Sequence, residues 1–398
     1  MLGILESNQT LLMGKKKDKK KKHKTGTKKK NGMVTYLEGL MPTGFIEIIR
    51  EERIFLILIG LFFFIAGVTY ETPHIAMWVG FFFAAYSAIA NDSIQTIGTF
   101  LASNANKKWW ILWLFIGGIF VLTVSYSWFT YDGDVTYQRL TSKGFDQAPT
   151  EFKFLQVAAP LFLLIITRLR MPVSTTFLLL SAFATVPEGI VDVLKKSLSG
   201  YFIAFMVAII VWLVLSKLLE KLFKGEAHPL WRPAQWVISG CLWAVWLMQD
   251  AANIAVYLPR SLSVMGFLVF TGFIFFGLGL LFYMRGDKIQ QIVTEKSYVT
   301  DVRSATIIDF VYASVLYYFK SVSVVPMSTT WVFIGLLAGR EIAMSITDSK
   351  GKGKPMKRTF RLIFKDVSYA LIGLVISIII AVAINPMIWD ELVNYFFG

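Results

Sequence analysis

Two short polar sequences, one in each half of the chain, contain residues that could bind ions. Asp92 follows the amide of Asn91 in the first half, and Asp250 follows that of Gln249 in the second half, 158 residues later. Asn253 adds another amide one helical turn after Asp250. All lie at the ends of long apolar segments, where polar groups are costly and usually mark a functional site. Their oxygens suit a small cation such as Na⁺.

A second pair of sequences carries hydroxyl groups. Met-Pro-Val-Ser-Thr-Thr ends at Thr176, and Val-Pro-Met-Ser-Thr-Thr ends at Thr330, 154 residues later. Proline followed by hydroxyl residues predicts the N-terminus of a helix, where unpaired N–H groups and the positive end of the helix dipole attract anions. Two such termini facing each other would surround a tetrahedral oxyanion with donors.

The two aspartates need a compensating positive charge, because like charges repel strongly in a low dielectric. Neither motif segment contains Lys or Arg. We therefore expect either a bound Na⁺ or protonation of the aspartates, which would give H⁺ coupling. The candidate cation-binding residues are Asp92, Asp250, Asn91, Asn253, Thr96 and Thr99, and Gln95 and Gln249 offer further amide oxygens.

These residues lie among apolar segments of membrane length. The 398-residue chain is 55% hydrophobic and 17% charged, with a mean hydropathy of +0.59. Several uncharged stretches approach the ~20 residues that cross a bilayer. The segments are 54–69, 76–90, 109–130, 201–216, 234–248, 263–283 and 367–386. The sequence predicts an all-α, multi-pass membrane protein.

Two further pairs of segments are shorter than a crossing. The pairs 154–168 with 177–186, and 306–319 with 331–346, flank the two Ser-Thr-Thr clusters. We interpret them as two re-entrant helical hairpins. Each half then has three crossings, and an odd number makes the second half inverted relative to the first. The sequence thus predicts an inverted-repeat transporter whose binding site lies between the halves.

Charge sets the predicted orientation. Residues 15–30 hold eleven lysines, and we place this tail in the cytoplasm. The loops that are then internal carry 17 Lys and Arg, against six in the external loops, as the positive-inside rule requires. We expect the protein in the cell membrane (plasma or inner), with a cytoplasmic N-terminus. The tail is either solvated or attached to anionic lipids; without interleaved aromatic residues it does not predict nucleic-acid binding.

The predicted organisation has four parts. Residues 1–52 form a disordered, lysine-rich tail and lead-in; 53–200 form the first repeat; 201–347 form the inverted second repeat; and 348–398 form a basic loop and a final helix. The bilayer is the expected environment, and a homo-oligomer is compatible with the sequence.

The sequence argues against enzymatic activity. Cys241 is the one cysteine, which excludes an intrachain disulfide, and its apolar surroundings predict a buried space-filling side chain. The three histidines are too far apart in the chain to suggest a metal site, and no nucleophile–base constellation is recognisable. We expect no cofactor beyond the co-transported Na⁺ or H⁺.

The motifs resemble those of the PiT family of inorganic phosphate transporters. That family carries G-A-N-D-x-x-N-x-x-G-T and P-x-S-T-T-H sequences in its two halves. Residues 89–99 match through Ala90, Asn91, Asp92, Gly98 and Thr99, whereas 248–253 match through Asp250 and Asn253. Asp309 stands where the family has an acidic residue. The resemblance covers residues 76–346.

The resemblance implies Na⁺-coupled symport of phosphate. Phosphate would be bound by Ser174, Thr175, Thr176, Ser328, Thr329, Thr330, Asn91, Gln95, Gln249 and Asn253. Gln95 and Gln249 replace family asparagines, and Phe177 and Trp331 replace the family histidines. These departures leave sulfate or another oxyanion, and H⁺ coupling, as alternatives. A channel and a non-transporting scaffold are the rival classes.

Overall fold

The fold is described from a computed structural model. It describes residues 52–169, 171, 173–222, 225–284, 301–347, 356–385, 389–390 and 393–394; the side chains of 94, 95 and 215–222 are outside the description. The predicted lysine-rich tail therefore lies outside the described residues, as does the first part of the basic loop. Residues 52–58 begin the first helix, and every contact given below lies within the unit Ile59–Gly398.

The described part of the chain is helical and contains no β-strand. A π-helical turn covers Thr176–Leu180, and 3₁₀ turns cover Arg139–Thr141 and Ser181–Phe183. The α-helices are α1 Arg53–Thr69, α2 Pro73–Ala90, α3 Asp92–Ser103, α4 Trp109–Thr130, α5 Phe154–Arg168, α6 Pro187–Leu222, α7 Trp231–Ala255, α8 Val264–Tyr283, α9 Val302–Val322, α10 Thr329–Thr347 and α11 Met356–Ile384.

Six of the described helices are long and apolar enough to cross a membrane. They are α2, α4, α6 over Pro187–Val214, α8, α10 and α11. Large apolar side chains point away from the protein; Leu122 is 72% exposed and Phe129 is 75% exposed. Such outward apolar surface is stable in lipid, where each helix also satisfies its own backbone polar groups. The predicted all-α, multi-pass membrane architecture is therefore confirmed.

Contacts between helix ends define two faces of the helical assembly. We call the loop face the end that carries residues 131–153, the connection between α4 and α5. Thr185 N donates to Gly144 O at 3.0 Å, Arg260 Nε donates to Phe145 O at 3.1 Å, and Lys153 Nζ donates to Ile384 O. The start of α6, the α7–α8 connection and the end of α11 therefore all lie at the loop face.

The opposite face joins the other helix ends. Asn104 Nδ2 donates to Gln235 Oε1 at 3.1 Å, which pairs the end of α3 with the start of α7. Arg303 Nη1 donates to Gly225 O at 3.3 Å, which places the start of α9 beside the α6–α7 connection. It follows that α3 and α7 run antiparallel, and that α7 ends at the loop face.

The first Ser-Thr-Thr cluster lies where the chain turns back. After α5 it returns through the π and 3₁₀ turns, so that Gln156 Nε2 donates to Ala182 O at 3.0 Å. The segment from the start of α5 to the end of the 3₁₀ turn thus starts and ends at the loop face. The predicted helix 177–186 is instead irregular and ends at Phe183. Ala184, at φ −63° and ψ 123°, is already extended, and Pro187 then opens α6.

The second pair of helices is longer than the sequence analysis predicted. α9 covers Val302–Val322 instead of 306–319, and it reaches from Gly225 at the opposite face to Arg139 at the loop face. α10 is one of the six membrane-length helices. The extension of α9 has a local cause: the Asp301 carboxylate accepts from Arg303 N at 2.8 Å and caps the helix beyond its apolar part.

The helix that follows each break packs against the other break. α6 follows the first Ser-Thr-Thr cluster but packs along α10, whereas α11 follows the second cluster but packs against 176–183. The α6–α10 contact is close, because Gly335 and Gly339 face the carbonyl oxygens of Tyr201 and Phe205. The predicted repeat boundary at 200/201 falls inside the continuous helix α6.

Candidate functional site

The Asp92 carboxylate lies at a break between two helices. α2 ends at Ala90 and α3 begins at Asp92, with Asn91 between them at φ −112° and ψ −68°. Asn91 Nδ2 donates to Asp92 Oδ1 at 2.9 Å, and the Thr175 hydroxyl donates to Oδ2. The carboxylate is 3% exposed. The break thus brings an acid from the first motif against the first Ser-Thr-Thr cluster.

Asp250 makes the equivalent contact with the second cluster. Thr329 Oγ1 donates to Asp250 Oδ2 at 2.6 Å, and Asn253 Nδ2 donates to Oδ1 at 2.6 Å. Thr176 Oγ1 lies 3.4 Å from the same Oδ1 and 3.1 Å from Met327 O. A residue of the first cluster therefore reaches the aspartate and the break of the second half, and the four motifs meet in one buried polar cluster.

The two serines have identical local geometry. Ser174 Oγ accepts from Phe177 N, and Ser328 Oγ accepts from Trp331 N, both at 3.2 Å. Each serine therefore acts as a cap for the turn that follows it, as the sequence predicts. A hydroxyl that accepts in this way still has its own hydrogen to donate, so both serines can offer a donor to an anion.

Within the described part of the chain, two buried amide oxygens close to Asp250 in sequence have no hydrogen-bond donor. They are Gln249 Oε1 and Asn253 Oδ1. Their orientation is fixed by the amide nitrogens, because Gln249 Nε2 donates to Leu316 O at 3.1 Å and Asn253 Nδ2 donates to Asp250. Buried acceptors are almost always paired. Buried oxygens without a donor, close in the chain to a carboxylate, are the type of ligand that a hard cation prefers.

The remaining predicted residues divide into three groups. Thr96 Oγ1 donates to the backbone oxygen of Asp92 at 3.1 Å, and Thr330 is 4% exposed beside Thr329. Thr99 points elsewhere: its hydroxyl donates to Asp309 Oδ1 at 2.7 Å. The side chain of Gln95 is outside the described residues.

Several residues that contact the site were not predicted from the sequence. Trp246 Nε1 donates to Thr329 Oγ1 at 3.2 Å, and Ser328 N donates to Ser197 Oγ at 2.8 Å. Asp309 also accepts from Ser239 Oγ at 2.5 Å, which forms a second buried carboxylate site between α3, α7 and α9. A polar residue inside an apolar segment is the signal for Asp309 and Ser239; Trp246 gives no such signal.

No basic side chain among the described residues contacts the two aspartates of the cluster. Among the described residues, the hydrogen bonds to Asp92 and Asp250 come from hydroxyl and amide groups. The described residues contain no group of three His, Cys, Asp or Glu that could hold a metal ion. Cys241, predicted to be buried, is instead exposed on α7. An apolar segment does not distinguish a lipid-facing position from a protein-facing one.

No family model matches the chain, and neither a curated protein nor a solved structure shows significant similarity to it.

Proposed function

We propose that the protein is a secondary transporter that carries inorganic phosphate across the membrane together with Na⁺. The observation that carries this proposal is the buried cluster: Thr175 donates to Asp92, the neighbouring Thr176 contacts Asp250 and Met327 O, and Thr329 donates to Asp250. The motif resemblance to the PiT family is its second support.

The proposed architecture is an inverted repeat with two hairpins. Antiparallel α3 and α7, which carry Asp92 and Asp250 at their facing ends, support this relationship. The identical serine caps support it further, since the same geometry recurs after 154 residues. In this proposal α5 and the turns up to Phe183 form a re-entrant hairpin. α9 and α10 are its counterpart in the second half, where α9 reaches from one face to the other and α10 is of membrane length. The loop face is external, as the positive-inside rule predicts.

The cation is proposed to bind at Asp250. Asn253 Oδ1 and Gln249 Oε1 lack a donor among the described residues, and the Asp250 carboxylate lies close to them in the chain. A Na⁺ ion accepts several oxygen ligands at once, whereas a proton on the carboxylate supplies one donor and could satisfy at most one of the amide oxygens. This contrast favours Na⁺ over H⁺.

The anion is proposed to bind between the two capped turns. Ser174 and Ser328 would donate their hydroxyl hydrogens, and the N-terminus of α10 would add N–H groups and a favourable dipole. Phosphate and sulfate share this acceptor geometry, so sulfate is the alternative cargo. Because Ser174 is 4% exposed and Ser328 is fully buried, access requires the protein to alternate between open states.

The test is uptake of labelled phosphate into proteoliposomes with an imposed Na⁺ or H⁺ gradient. We expect saturable uptake that depends on Na⁺, and weaker competition by sulfate than by arsenate or vanadate. The double variant Ser174→Ala with Ser328→Ala should raise the KM for phosphate about a hundredfold, the cost of two lost hydrogen bonds at roughly tenfold each.

The rival classes give different results in the same vesicles. A channel would give a cation-independent anion current far above transporter turnover. A scaffold would give no saturable flux of phosphate or sulfate under any gradient. A double serine variant with wild-type KM would remove the two turns from the proposed binding site.

A further inference from the structure

Arg139 is a buried basic residue on the loop-face side of the cluster. It lies in a 3₁₀ turn of the α4–α5 connection and is 2% exposed. Its guanidinium donates only to backbone oxygens among the described residues: from Nε to Met248 O at 3.1 Å, from Nη2 to Lys320 O at 3.3 Å, and from Nη1 to Ser323 O. One side chain thus joins α7 to the end of α9.

Lys196 of α6 reaches the same segment from another side. Its Nζ donates to Ser323 O at 3.1 Å and to Val325 O. Arg139 and Lys196 therefore share the carbonyl of Ser323. In the part of the chain that the structure describes, neither takes part in an ion pair with a carboxylate.

This arrangement leaves positive charge incompletely balanced. Burial lowers the pKa of Arg139 to about 10, opposed by the charge of Asp250, so the guanidinium stays charged at neutral pH. Carbonyl oxygens solvate a cation but do not neutralise it, and an unneutralised buried charge is costly. Asp250 offsets part of this charge without contacting the guanidinium, so an anion in direct contact would stabilise it further.

The pair also lies on the short route between the cluster and the loop face. Met248 is two residues before Asp250, and Val325 is three residues before Ser328. Val324, between the carbonyl groups that the two basic residues hold, is 46% exposed. The segment 323–325 therefore separates the buried cluster from the surface, and the basic pair holds that segment in place.

We propose that Arg139 and Lys196 form a docking site at which the transported oxyanion first binds from the loop face. The inference rests on the proposed function. When segment 323–325 moves away, the donors that now bind its carbonyl oxygens are released and bind the oxyanion, for which charged donors are better partners. The anion then passes to Ser328 as the segment closes.

The competing role is purely structural, in which the pair only ties the α4–α5 connection to the end of α9. Neutral substitutions would then lower thermal stability without changing the affinity for an anion. Docking predicts an effect on the KM that depends on the face from which the anion approaches.

The experiment measures labelled phosphate transport, with labelled sulfate in parallel, in vesicles of both orientations. Arg139→Gln and Lys196→Gln should each raise the KM about tenfold when the anion approaches from the loop face, because a favourable charge is lost. The KM from the opposite face should stay at the wild-type value. Arg139→Lys and Lys196→Arg should retain most of the affinity. Lys143→Gln is the matched control, since Lys143 is an exposed lysine of the same face.

A wild-type KM in both Gln variants, or an equal rise from both faces, would overturn the docking site. If Arg139→Gln does not fold, Lys196→Gln alone decides between the two outcomes. An absence of saturable phosphate and sulfate flux in the wild-type protein would instead overturn the proposed function, and the docking site with it.

Discussion

The two Ser-Thr-Thr breaks are alike in their chemistry and different in the structure that holds them. In each, the serine oxygen accepts from the backbone N–H three residues later, and the following threonine donates to an aspartate. Beyond that point the first break continues as a π turn and a 3₁₀ turn, whereas the second continues as the 19-residue helix α10.

The two breaks also differ in what they pack against. α10 lies with its glycines directly against the backbone of α6, at the Tyr201 and Phe205 carbonyls. The first break lies against α11 through a side chain, since a Cβ at Gly373 would be 3.2 Å from Val173 Cγ2. Side chains can shift more easily than backbone. The binding groups are therefore alike, but α10 packs against backbone and the turns that follow Thr176 pack through a side chain, so we expect 177–184 to be more mobile than α10.

The largest expected effect concerns the two aspartates. Asp92→Asn and Asp250→Asn should both weaken Na⁺-dependent phosphate uptake, and Asp250→Asn by about a hundredfold, because a cation ligand is lost. We expect Asp250→Asn to reduce uptake more than Asp92→Asn does, because the amide oxygens that lack a donor among the described residues belong to Gln249 and Asn253, which are close to Asp250 in the chain. The measurement is uptake against Na⁺ concentration.

Asp132→Asn is the control for this pair. Asp132 is an exposed residue with φ +49°, a conformation that asparagine also adopts. Unchanged Na⁺ dependence in both aspartate variants would remove the carboxylates from the cation site.

An intermediate effect concerns the mobility of the segments that follow the two breaks. Backbone amides of 177–184 should exchange with deuterium about tenfold faster than those of 331–343, because irregular turns open locally more easily than a packed α-helix. Hydrogen exchange of the protein in lipid nanodiscs measures this ratio. Equal protection of the two segments would contradict the greater mobility expected of 177–184.

The smallest expected effect compares two glycines. Gly339→Ala should lower the free energy of unfolding by about 1–3 kcal/mol, because the new methyl group meets the Phe205 carbonyl. Gly373→Ala should be near neutral, since Val173 can shift and alanine favours the helix by up to about 1 kcal/mol. Thermal unfolding in detergent distinguishes the two. Gly272→Ala, where nothing lies within 4 Å of the added carbon, is the control.

The sequence predicts the polar cluster better than the elements around it. Asp92, Asp250 and both Ser-Thr-Thr sequences were identified because polar groups inside apolar segments are rare, and the structure brings them into contact. Whether they bind phosphate and Na⁺ stays a prediction. Thr99 shows the limit of this reasoning, since its position near Asp92 in the chain did not reveal that its side chain faces Asp309.

The helix bounds were harder to predict where polar residues continue a helix. α9 extends past its apolar part because Asp301 and Arg303 stabilise its first turn. Arg139 gave no signal either, because an arginine in a polar connection is ordinary. Its burial depends on carbonyl groups from α7 and α9, which are distant in the chain.

The crossed placement of α6 and α11 has a consequence for how the chain is made. The turn at 176–183 is synthesised well before α11, the helix that packs against its outer side. Thr176 finds its polar partners in α7 and in the second break, which are made earlier than α11, but the apolar side of the turn is left without α11 until that helix has been inserted. A chain shortened before Met356 would therefore leave one side of that turn without its packing partner, and we expect cells to degrade it even though the residues of both motifs are intact.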